Sequence, residues 1–114
     1  MTAPMTRDEL KTRLDAGEAV SIVEALREEY YRKAHLPGAL LLPHDQVDEL
    51  APALLPDKRA TIVVYCANLA CPNSTIAAER LTELGYTSVF EYAAGKQDWI
   101  DSGYPTESSV AAAA

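Results

Sequence analysis

The chain has 114 residues, of which 48% are hydrophobic and 24% charged, and it carries a formal net charge of −7 at pH 7. This length and composition are typical of one globular domain with a core of its own. The acidic excess argues against nucleic acid and anionic membranes as partners, because both require basic surface. No apolar run is long enough to span a membrane and the N-terminus lacks a signal-peptide pattern, so we expect a cytoplasmic protein.

The order of helical and strand patterns indicates an α/β domain. Thr6 and Glu9 have the spacing of a capping box, which predicts a helix that ends at Gly17. Apolar runs and turn residues predict strands at 20–23, 40–42, 61–65 and 89–90, and helices at 27–33, 44–55, 74–84 and 96–101. Alternation of this kind predicts a three-layer domain with a mostly parallel central sheet. Residues 1–5 are expected to be flexible, and the low-complexity residues 108–114 to form a disordered tail.

The segment from the third predicted strand to the helix after it is the centre of this pattern. Cys66 ends the strand, and a short uncharged loop leads into the helix. The inward face of that helix is predicted to include Ile76, Ala77, Leu81 and Leu84. Asn73 or Ser74 is either the N-cap of the helix or a residue whose side chain points toward the sulfur of Cys66. A cysteine at the carboxyl end of a parallel strand lies where ligands bind in α/β sheets.

Two interpretations of Cys66 follow from this position. Loop amides and the positive end of the following helix can lower the pKa of a thiol from about 8.5 into a range of roughly 3.5–7.5, which makes it a reactive thiolate. Alternatively, Cys66 is a small buried hydrophobe that closes a core strand. The residues around it leave both interpretations open.

Four stretches of the chain stand in a specific order. The first is the strand at 20–23 followed by Glu24, the second is Ala-His-Leu-Pro-Gly-Ala at 34–39, and the third is Val-Val-Tyr-Cys at 63–66. The fourth is a closing pattern that consists of Gly85, Tyr86, Val89, Ala94, Gly95, Trp99, Gly103 and Pro105. In order and spacing these stretches resemble the rhodanese homology domain in its single-domain form, over residues 6–107.

The resemblance implies a rhodanese-like fold and a sulfurtransferase in which Cys66 is the catalytic nucleophile and carries sulfane sulfur as a persulfide. A small-molecule or protein donor would load Cys66, and a thiol or cyanide acceptor would remove the outer sulfur. Loop amides and the helix N-terminus would hold the persulfide anion, so that no metal or organic cofactor is needed. We expect a monomer or a weak homodimer. The expected persulfide-binding residues are Ala67, Asn68, Leu69, Ala70, Cys71 and Ser74.

The cysteine loop departs from the usual pattern of that family. It is longer than in many members, and no residue from Ala67 to Ser74 is charged. A wider, less electropositive rim predicts weak activity toward dianionic thiosulfate. Lys96 is the candidate cation for contacting an anion, and its alternative interpretation is a solvated lysine at the start of a helix. The lack of an arginine between Cys66 and the helix argues against a phosphatase, which needs one to clamp phosphoryl oxygens.

Cys71 lies five residues after Cys66, in the same loop. It is either a resolving thiol that forms an intraloop disulfide with a modified Cys66, or a small residue that fills space under the loop. Pro72 restricts Cys71 to extended geometry, so closing the disulfide should require loop movement. A reversible Cys66–Cys71 disulfide defines the alternative function, a thiol-redox sensor or binding module with little transferase activity. No metal is expected, because these cysteines with His35 or His44 lack the paired spacing of zinc ligands.

Overall fold

The computed structural model describes residues 2–108. Within that range the strands are β1 (Thr2–Pro4), β2 (Val20–Glu24), β3 (Leu40–Leu41), β4 (Thr61–Tyr65) and β5 (Val89–Tyr92). The helices are α1 (Arg7–Asp15), α2 (Glu28–Lys33), α3 (Val47–Leu54), α4 (Asn73–Glu83) and α5 (Gly95–Asp101). This alternation confirms the predicted α/β class. The predicted capping box is present at α1, where the Thr6 hydroxyl accepts a hydrogen bond from the Glu9 amide at 3.1 Å.

The strands of the described range form one parallel sheet in the order β1-β5-β4-β2-β3. Strand β4 is central, with Val63 paired to Ile22 of β2 on one side and to Phe90 of β5 on the other. Because all the strands run in the same direction, their carboxyl ends share one edge of the sheet. The residues that follow β2, β4 and β5 are therefore brought together.

The side chains of β4 alternate between two cores, one on each face of the sheet. Ile62 and Val64 pack with residues of α3 and α4, whereas Val63 and Tyr65 pack with residues of α1 and α5. All four side chains are fully buried. The strand that leads to Cys66 is thus fixed from both faces.

Two local predictions are wrong. Residues 2–5 are not flexible: β1 pairs with β5 at the sheet edge, and Met5 is buried in the core that contains residues of α1 and α5. Ile76 does not face inward but is 45% exposed, although Ala77 and Leu81, predicted on the same face, are buried.

The C-terminal end of the described range returns to the predicted turn at 34–39. His35 and Glu107 exchange two backbone hydrogen bonds, at 2.9 and 2.8 Å, and the Ser108 hydroxyl donates to the Arg32 carbonyl at 3.0 Å. Apart from Ser108, the tail predicted at 108–114 lies outside the described residues. Among residues 2–108, no helix combines the length and the apolar character needed to cross a bilayer.

Candidate functional site

Cys66 lies directly after β4, at the edge where the carboxyl ends of the strands meet. On one side β2 ends at Glu24, and on the other the chain after β5 leads into Gly95, the first residue of α5. The loop that begins at Cys66 is therefore supported by residues from both neighbouring strand ends.

The first residues of α5 hold the backbone at Cys66 and Ala67. The amide of Lys96 donates to the Cys66 carbonyl and the amide of Gln97 donates to the Ala67 carbonyl, both at 2.8 Å. Gly95 has a φ of +73°, and a Cβ placed on it would lie 2.6 Å from the Cys66 carbonyl oxygen. Only glycine combines this backbone conformation with so close an approach. Gly95 thus allows α5 to pack directly against the cysteine loop.

A tight turn within the loop brings Cys71 back toward Cys66. The Asn68 side-chain oxygen accepts a hydrogen bond from the Ala70 amide at 3.0 Å, and the Asn68 carbonyl accepts one from the Cys71 amide at 3.1 Å. Asparagine favours such turns because its side chain can bond the backbone two residues further on. In the described part of the chain, the amides of residues 67–69 donate no hydrogen bond.

Cys66 and Cys71 are joined by a disulfide, with their Cα atoms 6.2 Å apart. This separation is within the usual range for the bond. Cys66 is fully buried, whereas Cys71 is partly exposed. The structure thus brings the predicted nucleophile and the predicted resolving thiol into bonding contact, and solvent reaches the pair from the Cys71 side.

The ammonium group of Lys96 is engaged in a buried ion pair. Its Nζ donates to Glu24 Oε2 at 3.0 Å and to the carbonyls of Tyr30 and Ala34 at 3.1 and 2.7 Å. The Lys96 side chain is 12% exposed and the Glu24 side chain 0%. Because an ammonium has three protons to donate, none remains for an incoming anion. The structure supports neither interpretation of Lys96 made from the sequence, the anion contact or the solvated lysine.

Tyr65 completes the surroundings of Glu24. The Tyr65 hydroxyl donates to Glu24 Oε1 and accepts a hydrogen bond from the Leu36 amide at 3.1 Å. Burial, and then the Glu24 carboxylate, raise the pKa of Tyr65 far above its usual value, so the hydroxyl remains a donor at physiological pH. Together with Lys96 these residues tie β2, β4 and α5 to one another beside the cysteine loop.

Helix α4 begins without a side-chain cap. Its N-cap is Pro72, so the prediction that Asn73 or Ser74 caps the helix is wrong. Ser74 is buried, and its hydroxyl donates to Glu91 Oε2 at 2.7 Å, as does the hydroxyl of Thr75. The Ser74 proton is therefore held by β5 and is not directed at the cysteine.

A cavity of about 220 Å³ opens beside the first residues of the cysteine loop. Tyr30 and Ile100 lie on its wall and are 47% and 43% exposed, so large apolar side chains meet solvent there. Its full lining consists of Leu26, Tyr30, Lys33, Ala34, Ala67, Asn68, Lys96, Gln97 and Ile100. This space is better suited to an organic group than to a small dianion.

Two acidic residues of the site received no role from the sequence. A glutamate directly after a buried strand needs a partner, and this signal could have drawn attention to Glu24. Its partner Lys96, however, is 72 positions away, which spacing does not reveal. No sequence signal indicates that Glu91 accepts the hydroxyls at the start of α4.

These features define a class of protein: a parallel α/β domain with a cysteine at the carboxyl end of its central strand, enclosed in a loop that leads into a helix. The family described as "Rhodanese-like domain" matches residues 6–102. The chain therefore belongs to the rhodanese-like domain family.

Relatives of known structure or curated function agree with this assignment. The chain is 41% identical over 70 residues to the thiosulfate sulfurtransferase PspE of Escherichia coli (strain K12), an alignment that covers 61% of this chain and 64% of that protein. It superposes on the rhodanese-like domain of the Alr3790 protein from Anabaena sp. with a TM-score of 0.82 and 30% identity, covering 95% of this chain and 80% of that one. It also superposes on a thiosulfate sulfurtransferase from Pseudomonas aeruginosa with a TM-score of 0.83 and 26% identity, covering 95% and 20%. The chain spans 64%, 46% and 44% of the lengths of the three curated relatives that it matches.

Proposed function

We propose that the protein is a sulfurtransferase in which Cys66 is the nucleophile and carries the sulfur as a persulfide. The main support is the position of Cys66, after the buried central strand and before a loop whose amides at 67–69 have no other partner among residues 2–108. Membership of the rhodanese-like family, and the likeness to two thiosulfate sulfurtransferases, support the same class of reaction.

The reaction proceeds in two halves at the sulfur of Cys66. In the first, the Cys66 thiolate attacks the outer sulfur of the donor; a new S–S bond forms, and the donor's S–S bond breaks with its electron pair leaving on the donor. When thiosulfate is the donor, the leaving group is sulfite. When an organic persulfide is the donor, the leaving group is its thiolate. In the second half, a thiol or cyanide takes the outer sulfur and Cys66 leaves as a thiolate. Neither half needs an oxidant or a reductant.

The loop stabilises the negative charge that remains on sulfur throughout this cycle. The amides of residues 67–69 and the N-terminal end of the 11-residue helix α4 supply partial positive charge beside Cys66. These donors are fixed before the reaction, because α5 and the turn at Asn68 already hold the loop backbone.

We expect an organic persulfide to be a better donor than thiosulfate. Residues 67–74 carry no charged side chain, and the nearby Lys96 ammonium is already held by Glu24 and two carbonyls. Within the loop itself, a dianion would meet amides alone. The cavity with Tyr30 and Ile100 on its wall offers apolar surface to the organic part of a donor.

The test is the formation of thiocyanate from cyanide with either thiosulfate or an alkyl hydropersulfide as donor. The protein is first reduced, because a disulfide-bonded Cys66 cannot take up sulfur. Cys71→Ser, in which Cys66 keeps its thiol and cannot form the disulfide, should exceed the uncatalysed rate, and Cys66→Ser should not. The kcat/KM for the hydropersulfide should be about tenfold higher or more, which corresponds to about 1.4 kcal/mol of transition-state binding. Equal rates for Cys71→Ser and Cys66→Ser would refute the role of Cys66.

The Cys66–Cys71 disulfide favours a second candidate function, a thiol-redox sensor or binding module. In that case mild oxidation would close the disulfide and change a partner contact, and the reduced protein would form thiocyanate only at the background rate. Because the transferase needs a reduced Cys66 and the sensor needs a disulfide that is reduced at rest, we propose that the protein works in a reducing compartment, the cytoplasm.

A further inference from the structure

Cys71 is held where its sulfur reaches the sulfur of Cys66. The two residues are bonded, and the hydrogen bonds of Asn68 to the amides of Ala70 and Cys71 form the turn that brings the second cysteine back. Pro72 is already the N-cap of α4 in this closed arrangement. The loop therefore accommodates the bond between the cysteines together with a complete α4.

We propose that Cys71 is a second catalytic residue, which converts the Cys66 persulfide into sulfide and an intraloop disulfide. This inference rests on the proposed function, since it begins from the persulfide. The Cys71 thiolate attacks Sγ of Cys66. The Sγ–Sγ bond forms, the bond from Sγ of Cys66 to the outer sulfur breaks, and the outer sulfur leaves with the electron pair as hydrosulfide. The sulfane sulfur that leaves is reduced by two electrons, and the pair of cysteines together is oxidised by two electrons.

The burial of the two cysteines determines which sulfur is attacked. Cys71 is placed to bond Sγ of Cys66 from within the loop, whereas a thiol from solvent approaches a persulfide on the buried Cys66 from the side of its outer sulfur. An external acceptor would meet the outer sulfur first and carry it away as sulfane sulfur. Cys71 thus changes the product, from transferred sulfane sulfur to free sulfide.

The partial exposure of Cys71 also provides a route back to the dithiol. A small-molecule thiol attacks the accessible sulfur of Cys71, and Cys66 leaves as a thiolate next to the amides of residues 67–69. A second thiol then releases Cys71. Over the whole cycle, one organic persulfide and two thiols become one thiol, one hydrogen sulfide and one organic disulfide. The protein would therefore act as a thiol-dependent persulfide reductase.

The test is a single turnover without added thiol or oxygen. Reduced protein, freed of reductant, receives one equivalent of alkyl hydropersulfide, and its intact mass and the free sulfide are followed together. Wild type should release one sulfide per chain and lose two hydrogens. Cys71→Ser should gain one sulfur atom and keep it for at least about ten times longer, because the competing intramolecular thiol is gone. Asn68→Ala, which weakens the turn but keeps both thiols, should fall between them.

These measurements distinguish a failure of this inference from a failure of the proposed function. The inference is overturned if wild type keeps the added sulfur as long as Cys71→Ser does, or if the disulfide appears without an equivalent of sulfide, which is plain oxidation. Loading of Cys71→Ser with sulfur would in either case leave the proposed function intact. If Cys71→Ser takes up no sulfur while its fold is unchanged by circular dichroism, the proposed function itself fails, and the inference fails with it.

Discussion

Replacing Lys96 with methionine should lower the free energy of unfolding by about 3–5 kcal/mol, because the substitution leaves a buried carboxylate without its counter-ion. The Glu24 side chain is 0% exposed, and its other partner among the described residues is the Tyr65 hydroxyl. The carbonyls of Tyr30 and Ala34 would lose a donor as well. Since domains of this size are stable by about 5–15 kcal/mol, the loss would be a large fraction of the total. The loss in the free energy of unfolding is measured by urea unfolding under reducing conditions, where wild type and variant both lack the disulfide.

Two further variants make this prediction specific. Lys33→Met removes the same charge from an exposed lysine of the neighbouring α2, and it should change stability by no more than about 0.5 kcal/mol. The double variant Lys96→Met with Glu24→Gln leaves no buried charge, so it should regain at least about 1 kcal/mol relative to Lys96→Met alone. A loss below about 1 kcal/mol for Lys96→Met, as for an exposed ion pair, would show that water reaches Glu24 and would refute the reasoning.

Two more predictions concern the same region. Gly95→Ala should destabilise the protein by about 2–4 kcal/mol, because its Cβ would lie 2.6 Å from the Cys66 carbonyl oxygen. Gly103→Ala, with a φ of +79° and open space around it, should cost only about 1–2 kcal/mol in the same urea experiment, and equal losses would contradict the clash. The raised pKa of Tyr65 favours the folded state below the unfolded pKa of about 10, and this contribution is lost as the pH rises above that value. The free energy of unfolding above pH 10 should therefore fall more steeply for wild type than for Tyr65→Phe. Urea titrations at several pH values measure this, and an equal pH dependence in the two proteins would contradict the role of Tyr65.

Most of the fold could be predicted because its signals are local. The capping box at Thr6, the apolar run of β4 and the alternation of helices with strands each depend on neighbouring residues. Strand β1 could not be predicted, since three residues that include a proline have no recognisable period. Its pairing depends on β5, at the other end of the chain. Ile76 is exposed because a helical period does not define the limits of the buried stripe, which tertiary packing sets; here that packing buries Ala77 and Leu81 but not Ile76.

The candidate site, like the fold, could be predicted where its signals are local and could not where they depend on distant contacts. The position of Cys66 follows from the order of strand, loop and helix, which the sequence displays directly. The hydrogen bonds from Lys96 to Glu24 and from Ser74 to Glu91 join residues that lie 72 and 17 positions apart in the chain. The sequence predicts neither partner, because spacing along the chain shows where a polar side chain lies but not which distant acceptor it meets. Buried polar groups nevertheless have to find such partners.

The edge strand at the N-terminus has a consequence for the association of molecules. The family match begins at residue 6, yet Thr2–Pro4 covers the outer edge of β5. A chain shortened to the limits of the family would expose the unpaired backbone groups of β5, and exposed edges of this kind template aggregation. Pro4 suits an outermost strand because it has no N–H to offer a further one. Three residues outside the recognised domain thus cover the backbone groups along one side of β5.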